Sequence, residues 1–187
     1  MLDRLSRAIE ARDPHSEGHS ERVSRLAVGV AERLGWSDKE IETLQVGGAL
    51  HDIGKVAVSK DLLCKPASLT PEEREEVEVH PSVGAVLVER WPLASGAVPY
   101  VLCHHERWDG CGYPRGLAQD EIPLGARLLG IADAFDAMTS TRAYREALST
   151  DAACAELVRC AGTQFDPELV EAFLAVWSPA GQHAVSV

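Results

Sequence analysis

Apolar residues recur at intervals of three and four positions along most of the chain, a spacing that predicts amphipathic α-helices. Leu2, Leu5 and Ile9 form the first such stripe, in a predicted helix over residues 2–12. No recurring alternation typical of strands and no internal repeat interrupts this pattern. The predicted fold class is therefore all-α. Further helices are predicted over Pro14–Val30, Ser37–Leu50, Thr70–His80, 82–91, 96–107 and Pro123–Met138. One more helix is predicted to begin after a cap at Ser149 or Thr150, and a last one runs from Asp166 to about Trp177.

Capping and proline patterns mark where several of these helices begin or end. Ser37 and Thr70 are each followed three residues later by glutamate, which is the capping-box spacing. Asp13–Pro14 predicts the start of the second helix, because proline is favoured at a first helical position. Pro81 predicts that the preceding helix ends at His80, since the residue before a proline is disfavoured in the α conformation.

Glycines and loop-forming residues separate or interrupt the helices. Gly47–Gly48 costs about 1 kcal/mol per residue relative to alanine inside a helix, which predicts the close approach of another helix there. The stretch after Lys55 through Pro66 is predicted to be a loop in which Val56–Val58 forms a short extended piece. Residues 108–116 contain three glycines and a proline and are predicted to form a turn-rich loop.

The length of 187 residues and the hydrophobic content of 45% fit one globular domain. We expect a single domain over 1–187, with a helix over 2–12, a chemistry-bearing core over 13–177 and a tail over 178–187. The N-terminal residues lack the pattern of an export signal, and no apolar run is long enough for a membrane span. These features predict a cytoplasmic protein, and its five cysteines, none in a Cys-x-x-Cys pair, are expected to be reduced.

The net charge of −11 argues against a broad surface that binds duplex nucleic acid. Duplex affinity depends on the neutralisation of many phosphates by lysine and arginine. A ligand that carries phosphate would therefore need a local cationic site. A metal centre held by histidines and carboxylates would supply one.

The candidate metal ligands are histidines in polar or turn-like surroundings, Asp52 beside His51, and Asp133. Asp133 and Asp136 lie inside the apolar helix over Pro123–Met138, where a carboxylate is costly unless it is paired or bound to a metal. Imidazole nitrogen and carboxylate oxygen both suit borderline divalent metals. Any one of these histidines alone is better explained as an imidazole satisfied by hydrogen bonds, but the set is spread over five predicted helices, as in a bundle with a metal centre in its core. Their number predicts two ions that share a carboxylate, with iron or manganese favoured over structural zinc. The candidates are His19, His51, Asp52, His80, His104, His105 and Asp133.

Most of these candidates lie in short motifs. The motifs are Gly18-His19-Ser20-Glu21-Arg22-Val23, His51-Asp52-Ile53-Gly54-Lys55, His80-Pro81-x-x-Gly84, His104-His105-Glu106-Arg107-Trp108-Asp109-Gly110-x-Gly112-Tyr113-Pro114 and Gln164-Phe165-Asp166-Pro167. In this order, from about Asp13 to Phe173, they closely resemble the HD-GYP family of cyclic di-GMP phosphodiesterases. The resemblance implies a helical bundle of the HD-domain type with a two-metal site in its core.

The resemblance also implies a distribution of the ligands over two ions. Asp52 would bridge the ions and would be the central catalytic carboxylate. By resemblance, the first ion would be held by His19, His51, Asp52 and Asp133, and the second by His80, His104, His105 and the shared Asp52.

By the same resemblance, a metal-bridging hydroxide would cleave cyclic di-GMP to linear pGpG, with slower cleavage to GMP. Lys55 would neutralise charge on the phosphoryl oxygens and help protonate the leaving group. The alternative interpretation is that Lys55 is an ordinary solvent-exposed lysine after a helix. Arg142 and Arg145 would bind the non-scissile phosphate. Tyr113 would stack on a guanine or donate a hydrogen bond from its hydroxyl, or else only anchor its loop.

Two positions depart from the family pattern. Family members with a third metal carry glutamate where this chain has His15, so we expect two metals and assign His15 to the pocket or the surface. Ala143 stands where the family usually has proline. Arg142 and Arg145 keep the cationic functions of that segment, so phosphate binding is expected to survive.

Other interpretations stay open at this point. A different HD-superfamily phosphohydrolase with a single ion would leave His80, His104 and His105 without a use. A signalling scaffold could bind a cyclic dinucleotide and contact a diguanylate cyclase through Gly112–Pro114 with little turnover. The 2–12 helix could serve signalling or dimerisation, as in a homodimer, or pack on its own domain. The choice between cyclic di-GMP and a mixed-base cyclic dinucleotide is also undecided.

Overall fold

The computed structural model describes residues 2–12, 17–141 and 146–179. Within these ranges the secondary structure is helical and contains no strand, which confirms the all-α fold class. No helix in the described residues is long and apolar enough to cross a membrane. The α-helices are α1 (Leu2–Glu10), α2 (His19–Arg33), α3 (Asp38–Leu50), α4 (Lys60–Leu63), α5 (Pro71–Glu78), α6 (His80–Glu89), α7 (Val98–Cys103), α8 (Leu124–Thr139), α9 (Thr150–Cys160) and α10 (Pro167–Trp177), and 3₁₀ helices cover Ile53–Ala57, Ser95–Ala97 and Gln119–Glu121.

The main apolar core lies where α2, α8, α9 and α10 pack together. Phe135 of α8 and Phe173 of α10 meet edge to face, with ring centroids 5.1 Å apart. A second cluster around Leu50, Ile53 and Val101 lies at the ends of α3 and α7. The removal of such side chains from water is the main force that holds the helices together. The two cores fix the helix ends from which the candidate ligands project.

Capping patterns in the sequence correctly predicted several helix starts. Ser37 accepts a hydrogen bond from the backbone N–H of Glu40, and the Glu40 carboxylate accepts one from the N–H of Ser37. Thr70 and Glu73 form the same capping box at α5, and Ser149 caps α9. Each cap satisfies a backbone N–H that the helix itself cannot, and a cap is worth about 1 kcal/mol.

The second helix begins later than the sequence predicted. α2 starts at His19, with Gly18 as its N-cap, instead of at Pro14. Gly18 has a φ of 67°, a left-handed conformation that glycine adopts without steric cost. The turn before α2 makes His19 the first residue of the helix, from which its ring reaches the aspartates of α8.

Two other predicted helix ends are also wrong. The break predicted at His80 occurs at Val79, and His80 begins α6 with Pro81 in the first turn. Proline is tolerated there because its missing N–H would have no helical partner. α7 ends at Cys103, so the double histidine follows the helix instead of ending it.

The segment after the His-Asp pair is helical, so the predicted loop with an extended piece is wrong there. Val56 and Ala57 belong to the 3₁₀ helix Ile53–Ala57, and α4 follows shortly. This 3₁₀ helix lies directly against α6. A Cβ at Gly54 would be 1.8 Å from the carbonyl oxygen of His80, so only glycine permits the approach.

Gly47 and Gly48 bring α3 close to its neighbours, as predicted from their cost inside a helix. A Cβ at Gly48 would lie 2.7 Å from Cα of Ser24 in α2, and one at Gly47 would lie 3.2 Å from Tyr100 in α7. The close contact with α2 holds the end of α3, and His51 after it, near the start of α2.

Candidate metal centre

The predicted ligands are delivered mainly by helix ends. His19 and His80 are the first residues of α2 and α6, while His51 and His104 follow the last residues of α3 and α7. Asp133 projects from the body of α8. The fold brings together all seven predicted side chains, which we call the cluster: His19, His51, Asp52, His80, His104, His105 and Asp133.

Three histidines of the cluster are oriented in the same way, by a hydrogen bond from Nδ1 to a backbone carbonyl three residues earlier. A carbonyl oxygen can only accept, so Nδ1 carries the proton and Nε2 presents a lone pair. This local geometry turns each Nε2 toward the other ligands. The bonds join His51 to Gly48, His80 to Val77 and His104 to Val101, each at 2.8 Å.

These Nε2 lone pairs face other acceptors. His51 Nε2 is buried and has no hydrogen-bond partner among the described residues. His80 Nε2 lies 3.4 Å from His104 Nε2 and also 3.4 Å from Asp52 Oδ1. Buried lone pairs and an anion this close are costly unless a cation lies among them. The donor set therefore fits divalent metal ions.

Asp52 lies between two sets of imidazoles. Oδ1 is the oxygen near His80 Nε2, at 3.4 Å. Oδ2 lies 3.5 Å from His51 Nε2 and 3.9 Å from His19 Nε2. The two oxygens of one carboxylate thus face different histidines, which is the arrangement that a carboxylate shared by two ions requires.

Two sets of three ligands flank Asp52, and the ligand atoms of each set lie within 4.8 Å of one another. The first set is held together by a contact of 3.2 Å between His19 Nε2 and Asp133 Oδ1. A further combination, in which Asp52 joins one histidine from each set, links the two. We call His19, His51 and Asp133 the His19 group, and His80, His104 and His105 the His80 group.

Asp136 supports the cluster, although the sequence indicated only that a carboxylate in this apolar helix needs a partner. Asp136 Oδ2 lies 2.7 Å from His19 Nδ1, and Arg22 donates to both oxygens of the same carboxylate at 2.6 and 3.1 Å. A carboxylate behind a ligand histidine fixes the ring and raises its basicity. The sequence signal was the spacing of Asp136, three residues after Asp133.

Burial and charge affect the two groups differently. Burial lowers the pKa of His19, but hydrogen bonds with Asp133 and Asp136 outweigh it and raise this pKa to about 10. In the His80 group, burial lowers the pKa of His105 to about 3. Burial also lowers the pKa of the other two histidines of that group. At neutral pH the His80 group is therefore uncharged.

Asp52 stays ionised although it is buried. Burial raises the pKa of a carboxyl group, yet the positive charge of Lys55, the largest opposing influence, holds the pKa of Asp52 well below its usual value. The Lys55 Nζ lies 2.7 Å from Asp52 Oδ2. Lys55, to which the family resemblance assigned contacts with phosphoryl oxygens, is thus at the edge of the cluster and beside the Asp52 carboxylate.

Tyr113 packs on the His80 group. Its ring centroid lies 4.9 Å from that of His105, at an interplanar angle of 31°. The loop that carries Tyr113 is tied down by the buried carboxylate of Glu106, which accepts hydrogen bonds from the backbone of Arg115 at 2.7 Å and of Leu117 at 3.1 Å. Sequence reasoning had given Glu106 no role, because its partners lie at nonperiodic positions in the loop.

A cavity of about 610 Å³ adjoins the cluster. Its walls include Tyr113, Asp133 and two histidines of the His80 group. A space of this size can take a ligand of a few hundred daltons. Arg142 and Arg145, predicted to bind the non-scissile phosphate, and His15 lie outside the described residues, so their roles stay predictions.

The packed helices, with most of the clustered histidine and aspartate side chains at their ends, define a helical bundle with a candidate metal centre. The chain belongs to the HD domain family, whose model, described as HD domain, matches residues 3–169. This match confirms the HD-type fold that the motifs implied.

Curated relatives support the resemblance to HD-GYP phosphodiesterases. The chain is 44% identical to "Cyclic di-GMP phosphodiesterase response regulator RpfG" of Xanthomonas campestris, over 92% of this chain and 46% of that protein. It is 34% identical to "3'3'-cGAMP-specific phosphodiesterase 2" of Vibrio cholerae, over 95% of this chain and 34% of that protein. The chain therefore spans less than half the length of either relative.

A solved structure has the same fold. The crystal structure of a cyclic GMP-AMP-specific phosphodiesterase of V. cholerae, V-cGAP3, matches with a TM-score of 0.73 and 18% identity, over 100% of this chain and 50% of that one. At this identity the likeness concerns the fold alone, and it agrees with the predicted helical bundle.

Proposed function

We propose that this chain is a metal-dependent phosphodiesterase that hydrolyses cyclic di-GMP to linear pGpG and, more slowly, to GMP. Its relatives are named for cyclic di-GMP or 3′3′-cGAMP, which supports a cyclic dinucleotide as the substrate class. The observation that carries the proposal is the position of Asp52, whose two oxygens face different histidine groups. The cluster thus has ligands for two ions with one shared carboxylate.

Two divalent ions would supply positive charge that lowers the pKa of a nearby water molecule and withdraws electrons from the phosphoryl oxygens. The His19 group with Asp52 is assigned to one ion, and the His80 group with Asp52 to the other. Imidazole and carboxylate donors without a thiolate favour iron or manganese.

The reaction forms a bond from a water oxygen to phosphorus and breaks the bond from phosphorus to the ribose 3′ oxygen, which takes up a proton. We assign to Lys55 the stabilisation of charge on the phosphoryl oxygens and help in protonating the leaving oxygen. The short distance from Lys55 Nζ to Asp52 Oδ2, 2.7 Å, supports this role, since it puts an ammonium group beside the shared carboxylate.

Two further contacts are proposed for the rest of the substrate. Tyr113 is assigned to a guanine base, and its position in the cavity wall beside the His80 group supports this. Arg142 and Arg145 are assigned to the non-scissile phosphate, because guanidinium groups bind phosphate oxygens in pairs.

The test is to load the protein anaerobically with iron or manganese and incubate it with cyclic di-GMP and, separately, with 3′3′-cGAMP. We expect chromatography to show pGpG from the wild type and very little from His51→Ala or Asp52→Ala. Faster turnover of 3′3′-cGAMP would support the proposed phosphodiester hydrolysis but would make 3′3′-cGAMP the preferred substrate. A loaded wild type that binds cyclic di-GMP without forming product would overturn the enzymatic proposal.

That negative result would favour a signalling scaffold that contacts a diguanylate cyclase through Gly112–Pro114. Residues of this loop are partly exposed, as a contact surface would need to be. A single bound ion per chain, with turnover of another phosphorylated nucleotide, would instead favour a different phosphohydrolase. The full set of seven convergent ligands makes us prefer the two-ion enzyme.

A further inference from the structure

The carboxylate of Glu10, at the end of α1, is buried against the start of α2. Only 8% of Glu10 is exposed. Its Oε2 accepts a hydrogen bond from Gly18 N at 3.0 Å, and its Oε1 accepts one from Ser20 N at 2.9 Å. Gly18 and Ser20 are the two neighbours of His19. Glu10 therefore holds the backbone on both sides of one member of the cluster.

The start of α2 depends on this outside carboxylate. Its N-cap residue is Gly18, which makes no side-chain cap hydrogen bond. The first N–H groups of a helix have no partner within the helix, and a negative charge near them is favourable. Glu10 supplies both the acceptors and the charge from another helix. His19 lies in this first turn, so its position depends on the contact.

Arg12, two residues after Glu10, makes a second pair of contacts. Its Nη1 donates to the carbonyl of Val56 at 2.9 Å, and its Nη2 donates to the carbonyl of Val58 at 3.0 Å. These carbonyls belong to the first and third residues after Lys55. The planar guanidinium group spans two carbonyls of the same turn, which restrains the turn more than one bond would.

We propose that Glu10 and Arg12 are positioning residues for the metal centre, so that the end of α1 and the turn after it set the spacing between His19 and the Asp52–Lys55 segment. In the structure His19 Nε2 lies 3.9 Å from Asp52 Oδ2. This inference rests on the proposed function, because Glu10 and Arg12 can position a metal centre only if the cluster holds the proposed ions. The hydrogen bonds described for the two side chains go to backbone groups that flank members of the cluster.

The first variant is Glu10→Gln, which keeps the size of the side chain. Glutamine offers one acceptor oxygen, and its NH₂ group cannot accept the second backbone N–H. Loss of a supporting contact behind a ligand typically weakens metal affinity roughly 10- to 100-fold, and we expect this loss at the His19 group alone. Calorimetric titration with Mn²⁺ should show one weakened and one unchanged site. The spin-coupled electron paramagnetic resonance signal of a Mn²⁺ pair should give way to that of a single ion.

The matched control is Glu40→Gln. The Glu40 carboxylate also accepts a backbone N–H at a helix start, from Ser37 at 2.8 Å, but it lies at the end of α3 away from His51. Urea unfolding of the metal-free proteins gives the general stability cost of each change. We expect Glu40→Gln to titrate as the wild type does, with two ions bound.

The Arg12 contacts are tested by Arg12→Gln. A shift of the turn after Lys55 should lower kcat for cyclic di-GMP roughly tenfold or more while two ions stay bound. A purely structural role would lower unfolding stability and leave kcat per folded molecule unchanged. Circular dichroism measures the folded fraction in both variants.

The outcomes separate this inference from the proposed function. A wild type that binds fewer than two ions, or does not turn over a cyclic dinucleotide, overturns the proposed function. A two-ion wild type with unchanged Mn²⁺ affinities in Glu10→Gln and unchanged kcat in Arg12→Gln overturns only the positioning role of α1. If Glu10→Gln does not fold, the Arg12→Gln result decides.

Discussion

His19 and His104 belong to the same cluster, but different partners hold the ring nitrogen that points away from it. Behind His19 lies the carboxylate of Asp136, which Arg22 also binds. Behind His104 lies the neutral backbone carbonyl of Val101. Burial alone would lower the pKa of both rings. Hydrogen bonds between His19 and two carboxylates outweigh the effect of burial and raise the pKa of His19 to about 10. The pKa of His104 stays well below its usual value.

This difference determines how each group competes with protons for an ion. A histidine that is protonated in the metal-free protein must lose its proton before it can bind a metal. The His19 group should therefore bind its ion with proton release at neutral pH, and the gain is a more basic, firmly oriented ligand. The His80 group is already neutral and needs no proton release. Asp52 couples the two groups because its oxygens face both.

Loss of Asp52, the carboxylate proposed to be shared, should have the largest effect, because it would remove a ligand from both proposed ions. We expect Asp52→Ala to lose both ions and His80→Ala to keep the ion of the His19 group. Two bound ions would stabilise the transition state by several kcal/mol, so we expect the rate of the proposed pGpG formation to fall on the order of 10³-fold or more in Asp52→Ala. Elemental analysis counts the ions. If Asp52→Ala kept both ions while His80→Ala lost them, Asp52 would not be the shared ligand.

The support behind His19 should have the next largest effect. Asp136→Asn removes the negative charge that faces His19 Nδ1 and leaves Arg22 without its ionic partner. Loss of such a supporting carboxylate typically weakens metal affinity roughly 10- to 100-fold. We expect this loss at the His19 group only, measured by calorimetric titration with Mn²⁺.

Asp166→Asn is the control for that experiment. Asp166 is also a buried aspartate paired with an arginine, since its Oδ2 lies 2.8 Å from Arg127 Nη1. It does not belong to the cluster and should affect stability without affecting either ion. A Mn²⁺ affinity of the His19 group that stays unchanged in Asp136→Asn would contradict the supporting role of this carboxylate.

Most of the candidate ligands could be predicted from the sequence because they lie in short motifs at helix ends, whereas Asp133 lies in the body of α8 and outside these motifs. His51-Asp52 and His104-His105 follow apolar helical segments, and the capping patterns at Ser37 and Thr70 locate two helix starts. These signals depend on residues a few positions apart. Local hydrogen bonding then orients three of the imidazoles, since each bond spans three residues.

The supports of the ligands could not be predicted, because their partners are distant in sequence. Arg22 and Asp136 are 114 residues apart. The start of α2 was wrong for a related reason: Pro14 is a good local signal, whereas the observed start at His19 is stabilised by Glu10 from another helix. Tertiary contacts of this kind override local preference and leave no periodic pattern.

The unequal pKa values also predict how the stability of the metal-free protein depends on pH. Between pH 6.5 and about 8.5, folded His19, with a pKa near 10, keeps a proton that the unfolded chain loses. The free energy of unfolding should therefore fall as the pH rises, by about 1.4 kcal/mol per unit. Below pH 6.5 the unfolded chain binds protons that folded His105, with a pKa near 3, does not. Stability should then fall as the pH falls, with a maximum near pH 6.5.

Single variants separate the two slopes of this profile. His19→Gln should remove the loss of stability on the alkaline side. His105→Gln should reduce the loss of stability on the acid side but not remove it, because the other histidines of the His80 group also have lowered pKa values. Urea unfolding of chelator-treated protein from pH 4.5 to 8.5 measures both slopes and stays above the range in which most carboxylates titrate. An unchanged alkaline slope in His19→Gln would mean that His19 is not the proton-holding member of the cluster.

The smallest effect should come from Tyr113, whose ring packs on His105 of the His80 group. A ring pair such as Tyr113 and His105, with centroids 4.9 Å apart, is worth about 0.5–1.5 kcal/mol. Tyr113→Leu should therefore weaken the ion of the His80 group about three- to tenfold, while Tyr113→Phe keeps the ring and should leave both ions unchanged. Mn²⁺ titration of the two variants tests this. A higher KM for cyclic di-GMP in Tyr113→Phe, with both ions bound, would show that the hydroxyl contacts the substrate. Wild-type metal affinity in Tyr113→Leu would show that the ring covers the cluster without stabilising its ions.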